Sequence, residues 1–153
     1  MVVTVTVKQL MTPYPVVVDA ATPVAQCARL MDDRDIGALG VMHEGRLVGV
    51  LTDRDIVIRA VARDRDLTTL VAGELATSEV VAVAPDSPVE EAERRMREGA
   101  VRRLFVVTDD GRPLGILTLD DLIVLRDPSS IVAQQMREWS MLRSDQGYMG
   151  DDD

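Results

Sequence analysis

Two short segments of the same form contain the residues of this chain whose types and spacing suggest chemistry. Residues 49–55 read Gly-Val-Leu-Thr-Asp-Arg-Asp, and residues 115–121 read Gly-Ile-Leu-Thr-Leu-Asp-Asp. Each threonine stands where an apolar strand would give way to a helix, whose first amide groups lack partners and attract anions. The aspartate lies one helical turn further on, on the same side, and can accept hydrogen bonds from a sugar diol. The pattern therefore predicts phosphate beside the threonine and ribose beside the aspartate, at Thr52 and Asp55 and again at Thr118 and Asp121.

The same residues also have a simpler interpretation. A threonine before a helix with an acidic residue in its first turn is an ordinary cap, which stabilises a helix by about 1 kcal/mol without any ligand. One copy alone would favour this interpretation. Two copies in register favour a binding site, and the cap remains the alternative. If the motifs bind a ligand, the two glycines, Gly49 and Gly115, are expected to keep the strand narrow so that the ligand can approach its backbone.

The elements around these segments are repeated as well. Thr22-Pro23 and Ser87-Pro88 each predict a helix start with a capping hydroxyl and a proline in the first turn. Apolar residues recur at helical spacing after the first of these starts, at Val24, Cys27, Ala28 and Met31. Hairpins are predicted to turn at Glu44-Gly45 and Asp110-Gly111. Each unit should run helix, strand, helix, strand, strand, helix.

We predict an α+β fold in which two such units pack as one body, because a single three-stranded sheet with helices on one side leaves its other face open. The expected segments are repeat 1 (7–62), a linker (63–68), repeat 2 (69–126), a C-terminal helix (127–143) and a disordered acidic tail (144–153). Trp139 in the C-terminal helix is expected either to pack on its own body or to dock on a partner subunit.

Composition excludes several classes of function. The net charge of −9 over 153 residues argues against nucleic acid and against anionic membrane surfaces. No apolar run approaches the ~20 residues of a membrane span, and the first residues do not resemble a signal peptide. The single cysteine, Cys27, rules out an internal disulfide and favours a cytoplasmic location. His43 is the only histidine and lies in a turn, and no catalytic constellation, metal-ligand cluster or cofactor motif is present, so we expect no catalytic or metal site and no enzyme.

Taken in order, these motifs resemble a known family. Repeat 1 contains Met11-Thr12-Pro13, Thr22-Pro23-Val24, Asp35-Ile36-Gly37-Ala38-Leu39 and the segment 45–55, and repeat 2 contains Ser87-Pro88-Val89, Val101-Arg102-Arg103-Leu104 and the segment 115–121. The set is similar to a tandem pair of cystathionine β-synthase (CBS) domains, the Bateman module, over residues 7–125. The residues between the repeats resemble the short stand-alone pairs of the bacterial hypoxic-response type.

The resemblance implies two clefts, each built from both repeats. One would combine the following residues: Thr118, Asp121, Val18, Thr22, Ile36, Gly37 and Ala38. The other would combine Thr52, Arg54, Asp55, Val83, Ser87, Val101, Arg102 and Arg103. Adenine would bond to strand backbone, and Arg102 or Arg54 would contact phosphate.

The function that the resemblance implies is a cytosolic regulatory module that binds an adenosyl ligand (AMP, ADP, ATP or S-adenosylmethionine), forms a homodimer and passes its occupancy to an unknown regulated protein. The alternative is a ligand-free dimeric scaffold whose motifs are only helix caps. Gly40 and Phe105 stand where the family often has proline, and Leu119 replaces the polar residue found at Asp53. Because Asp120 adds negative charge beside Asp121, the Thr52 cleft is the one expected to accept a charged nucleotide.

Overall fold

The protein is described from a computed structural model that covers residues 4–145, with side chains up to Met141. The helices are α1 Val7–Leu10, α2 Val24–Arg34, α3 Asp53–Arg59, α4 Ala72–Leu75, α5 Val89–Gly99, α6 Leu119–Arg126 and α7 Ile131–Asp145, with a 3₁₀ turn at Val61–Arg63. The strands are β1 Thr12–Pro13, β2 Val17–Asp19, β3 Ala38–His43, β4 Arg46–Thr52, β5 Ala82–Val83, β6 Arg103–Val107 and β7 Pro113–Thr118.

The two repeats form two sheets of matching topology. The first has the order β2-β3-β4, with a parallel pair and then an antiparallel hairpin. The same arrangement recurs in β5, β6 and β7. The predicted turn at Glu44-Gly45 is confirmed, since both residues have positive φ (50° and 77°), as a tight two-residue hairpin turn requires.

Each sheet buries one face against its own helices. In repeat 1 the predicted apolar stripe on α2 is confirmed, because Val24, Cys27 and Met31 are buried in the first core together with Leu39 and Leu51. In repeat 2 the corresponding stripe on α5 belongs to a second core. Period-3.6 spacing was therefore sufficient to identify the buried helix faces.

The repeats exchange their first segments, which sequence analysis did not anticipate. Val7 in α1 is fully buried in the core of repeat 2, and β1 pairs antiparallel with β7. Conversely, Ala72 and Leu75 in α4 are buried in the core of repeat 1. The second sheet therefore has four strands, in the order β1-β7-β6-β5, where three were expected.

This exchange also replaces the predicted hydroxyl caps. No side-chain cap is present on α2 or α5. Instead, the amide of Val24 donates to the carbonyl oxygen of Leu70 (2.8 Å), and the amide of Val89 donates to that of Val5 (3.1 Å). The prediction for Thr22 and Ser87 was wrong because the segment from the other repeat already satisfies the first helix amides.

The remaining faces of the two sheets pack against each other. A β-carbon built on Gly40 would lie 3.1 Å from Cε1 of Phe105, so a side chain from repeat 2 covers the backbone of repeat 1. Val50 and Thr77 exchange both of their backbone hydrogen bonds (2.9 and 3.0 Å) across the same region. The two repeats therefore form one body with a shared interface between the sheets.

Helix α7 follows the repeats and packs on α6. The Ser130 hydroxyl accepts from the amide of Ala133 (3.2 Å) and so caps the start of α7. Trp139 is 55% exposed. The helix predicted over 127–143 runs from 131 to 145, so residues 144 and 145 of the predicted acidic tail are helical, and the rest of that tail lies outside the described residues. Within residues 4–145, no helix is both long enough and apolar enough to cross a lipid bilayer.

Candidate functional site

A cleft of about 480 Å³ opens between the repeats at the first of the two repeated motifs. We call it the Thr52 cleft. Of the residues predicted for this site, the following line it: Thr52, Arg54, Asp55, Val101, Arg102 and Arg103. The C-terminal end of β4, the start of α3 and the loop into β6 thus meet at this cleft.

Several lining residues were not predicted. They are Val50, Asp53, Thr77, Glu79, Val80, Val81, Ala100 and Phe105. The group from 77 to 81 reaches the cleft because Thr77 pairs with Val50, which follows from the exchange of first segments. No pattern in the sequence signals that exchange. Phe105 was noted only for standing where the family often has proline.

Two residues predicted for this cleft do not line it. Val83 is buried in the core of repeat 2, because alternate residues of a strand face opposite sides of the sheet. Ser87 lies at the exchanged segment, where its carbonyl oxygen accepts from the amide of Val7. The prediction misplaced both residues by assigning them to the wrong face or the wrong neighbour.

The set predicted around Thr118 and Asp121 does not converge as expected. Val18 and Ile36 pack against the first core, Ala38 is buried, and the carbonyl oxygen of Thr22 accepts from the amide of Ala72. Gly37 lines the Thr52 cleft instead, because its carbonyl oxygen accepts from the amide of Asp53 at the start of α3.

Both motifs form reciprocal capping boxes. The amide of Thr52 donates to Oδ2 of Asp55 (2.9 Å), and the amide of Asp55 donates back to Oγ1 of Thr52 (3.1 Å). The amides of Thr118 and Asp121 make the equivalent bonds at 2.8 and 3.3 Å. Each box satisfies two helix amides, so both motifs stabilise their helices whether or not a ligand binds.

The two threonine hydroxyls differ in what they can still do. The Thr118 hydroxyl donates to Oδ2 of Asp121 (2.9 Å), so its proton is committed within the motif. The Thr52 hydroxyl accepts a hydrogen bond from the amide of Asp55, but no acceptor for its own proton is present among the described residues. The Thr52 hydroxyl can therefore donate into the cleft that it lines.

Asp55 lines the cleft, and its carboxylate is largely shielded from bulk solvent, since the side chain is only 16% exposed. Its Oδ1 forms an ion pair with Nε of Arg59 at 3.8 Å. Because Oδ2 accepts the capping bond, a ligand would have to hydrogen-bond to Oδ1, which it would share with Arg59. The carboxylate can therefore cap the helix through Oδ2 and accept a hydrogen bond from a sugar diol through Oδ1.

Three arginines lie on the cleft without an ion pair to any described side chain: Arg54, Arg102 and Arg103. Other arginines of the chain are paired, such as Arg94, which binds both Glu91 and Glu98. Unpaired guanidinium groups have donors in a planar fork that suits phosphate and carboxylate. The carboxylates of Asp53, Asp55 and Glu79 also line the cleft, so it carries charges of both signs.

The motif glycines have a different role from the one expected. A β-carbon on Gly115 would lie 2.6 Å from the backbone oxygen of Thr12, and one on Gly49 would lie 3.1 Å from that of Thr77. The segments exchanged between the repeats, at Thr12 and Thr77, already pack closely against the backbone of β7 and β4 at these glycines. The expectation of a ligand against the glycine backbone was therefore wrong.

The side chains described do not supply a metal centre. Within this part of the chain no group of three or more His, Cys, Asp or Glu side chains could hold a metal ion. Cys27 is buried, and burial raises the pKa of its thiol, which disfavours the thiolate that a metal would need. His43 lies near Glu44 on the surface, at 3.8 Å.

Comparison with known proteins supports the family suggested by this architecture. The sequence model of the CBS domain matches residues 7–61 and again residues 72–126. The chain belongs to the CBS domain family. It is 37% identical over 118 residues to the CBS domain-containing protein YhcV of Bacillus subtilis, which covers 77% of this chain and 83% of YhcV.

Solved structures of CBS proteins share the fold. The crystal structure of hypoxic response protein I, which has two coordinated zinc ions, matches with a TM-score of 0.71 and 35% identity, over 77% of this chain and 96% of that one. The CBS domain pair of protein MJ0100, in complex with 5′-methylthioadenosine and S-adenosylmethionine, matches with a TM-score of 0.73 and 25% identity, over 83% and 99%. The match to a CBS pair of the hypoxic-response type agrees with the resemblance noted in the sequence.

Proposed function

We propose that this CBS protein is a cytoplasmic regulatory module that binds an adenosyl ligand in the Thr52 cleft. The observation that supports this proposal most directly is the composition of the cleft, where an available hydroxyl, a partly buried carboxylate and three unpaired arginines line one open space. A ligand with a sugar diol and an anionic group satisfies all three. The complex of the MJ0100 pair with two adenosyl compounds shows that a related fold accepts such ligands.

Occupancy can alter the shape of the body because the cleft takes residues from both repeats. A ligand that contacts Thr52 and Arg102 together would favour one packing of the two sheets over another. The change cannot exceed the difference in the ligand's affinity for the two arrangements. We propose that a regulated protein detects this change, that the functional unit is a homodimer, and that the module binds rather than transforms its ligand. Turnover of nucleotide by the purified protein would contradict the last point.

Isothermal titration with AMP, ADP, ATP and S-adenosylmethionine tests the proposal. We expect saturable binding by at least one of them, and the variant Asp55→Asn should bind it about tenfold more weakly, since a lost charged hydrogen bond is worth about 1.4 kcal/mol or more. The 2′,3′-dideoxy analogue provides the control. The wild type should bind this analogue as weakly as Asp55→Asn binds the natural ligand. Asp55→Asn should bind the natural ligand and the analogue with equal affinity. Absence of heat and of any thermal shift at millimolar ligand would contradict the proposal.

The capping boxes support a second candidate, a ligand-free interaction protein. Both motifs are satisfied internally, as a purely structural role requires. In that case Thr52→Ala lowers stability and changes no ligand affinity. Partner binding would then depend on α7, and a chain ending at Asp127 would lose it while remaining folded.

A further inference from the structure

The internal repeat allows the Thr52 cleft to be compared with its counterpart position by position. Ala38 pairs with Thr52 in the first hairpin, and Arg103 pairs with Thr118 in the second, so these pairs occupy equivalent places. We call the counterpart region, around the second motif, the Thr118 cleft. The same register makes Gly40 the equivalent of Phe105.

The floor of the Thr118 cleft is already covered. Phe105 lines the Thr52 cleft, so its equivalent Gly40 should line the other one. Gly40 is buried, and a β-carbon there would lie 3.0 to 3.1 Å from three side-chain atoms, Cδ1 of Leu47, Cγ1 of Val17 and Cε1 of Phe105. Phe105 is itself 1% exposed, so its ring is a fixed part of the interface between the sheets. One large residue thus provides a wall for the first cleft and fills the space over the second.

The basic residues of the two clefts also differ, and the difference again favours the Thr52 cleft for an anionic ligand. The equivalents of Arg54, Arg102 and Arg103 are Asp120, Gly37 and Ala38. A phosphate bound in the Thr118 cleft would lie near the carboxylate of Asp120, at the position where the Thr52 cleft has the guanidinium group of Arg54.

The threonines complete the difference. The Thr118 hydroxyl donates to its own aspartate, whereas the Thr52 hydroxyl has no acceptor among the described residues. Steric access, charge and hydrogen-bond capacity therefore all favour the same cleft. The three differences involve different residues. The steric difference comes from Phe105, the charge difference from Arg54, Arg102 and Arg103, and the hydrogen-bond difference from the motif threonine.

We propose, on the basis of the proposed function, that each chain binds one phosphorylated adenine nucleotide, in the Thr52 cleft, and that Phe105 and the three arginines determine this selectivity. S-adenosylmethionine carries no phosphate for the three guanidinium groups to bind, so we expect it to bind more weakly than a nucleotide; the carboxylates of Asp53, Asp55 and Glu79 also line the cleft. The two motifs are thus equal as helix caps and unequal as binding sites.

Equilibrium dialysis and isothermal titration of the full chain test the proposal with AMP, ATP and S-adenosylmethionine as probes. We expect a stoichiometry of one nucleotide per chain, with S-adenosylmethionine at least tenfold weaker. The double variant Arg102→Ala/Arg103→Ala should weaken nucleotide binding at least tenfold and reduce the salt dependence of the affinity. Arg63→Ala/Arg65→Ala is the matched control, since it removes the same charge from two arginines that form no ion pair with described side chains and lie outside the cleft. Circular dichroism confirms that both variants fold.

The possible outcomes separate this inference from the function on which it rests. Two nucleotides per chain, equal loss of affinity in the control variant, or tighter binding of S-adenosylmethionine than of nucleotide would overturn the inference and leave an adenosyl-binding module intact. Failure of all three probes to bind folded protein would overturn the proposed function itself, and the inference with it.

Discussion

At the scale of single residues, the Thr–Asp motif performs two tasks with one set of atoms. The backbone amides and one carboxylate oxygen close the capping box, and what remains at Thr52 and Asp55 is one hydroxyl proton and one oxygen. The sequence could predict the residue pair because both tasks require the same residue types. It could not predict which task dominates, because that depends on where a hydroxyl points.

The two threonines should therefore be equivalent in stability and different in binding. Thr52→Ala and Thr118→Ala should each lower the free energy of unfolding by about 1 kcal/mol, since each removes an N-cap. Urea denaturation measures both values, and Thr52→Ser, which keeps the hydroxyl, is the control. A loss confined to Thr52→Ala would mean that the second box contributes nothing to its helix.

Secondary-structure elements were the most predictable level of this protein. The helical stripe on α2, the hairpin turns and the helices after each motif depend on local sequence, and the structure confirms them. The first segments were also predicted as short helices, but not where they pack. Val7 and Leu75 are apolar side chains that would suit the core of either repeat. The local sequence therefore does not show which of the two cores each one enters.

Helix α5 gives the chain a pH-dependent element. Hydrogen bonds from Arg94 and Arg95 lower the pKa of Glu91 to about 2, from 4.5. Because the folded pKa is the lower one, the stabilisation is complete above pH 4.5 and is lost as the pH falls towards 2. The stability difference between wild type and Glu91→Gln should shrink across that window in thermal melts. Glu138→Gln, at a carboxylate that forms no ion pair among the described side chains, is the matched control.

Strand β7 should be sensitive to a single methyl group. Gly115→Ala places a β-carbon 2.6 Å from a backbone oxygen in β1, so the strands must separate, at a cost of about 1–3 kcal/mol. Gly49→Ala meets its neighbouring backbone oxygen at 3.1 Å and should cost less. Urea denaturation ranks the two. Equal or reversed costs would show that β1 does not pack closely on β7.

At the scale of the whole molecule, the exchanged segments make the two repeats one cooperative unit. Neither core is complete without residues from the other half: Val7 completes the second, and Ala72 and Leu75 complete the first. The sequence predicted that the halves pack together because each has an open sheet face. The sequence did not predict the exchange of first segments, because that exchange depends on the course of the backbone and not on composition.

Cooperativity can be measured with one variant. Val7→Ala should lower the free energy of unfolding by about 2 kcal/mol, the value of two buried methyl groups. In hydrogen exchange, the most protected amides of both sheets should lose protection together. Val48→Ala, on a half-exposed side chain, is the control. Full protection retained in β3 and β4 alone would show that the repeats unfold separately.

The pairing of β1 with β7 also has a consequence for the order of events on the ribosome. Thr12 and Pro13 leave the ribosome long before their partners Ile116 and Gly115. The residues around Val7 must remain without their native contacts until those partners have been made, and closing so long a loop is slow. A nascent chain halted before Thr118 would expose the apolar segment around Val7, which is the kind of surface that chaperones hold.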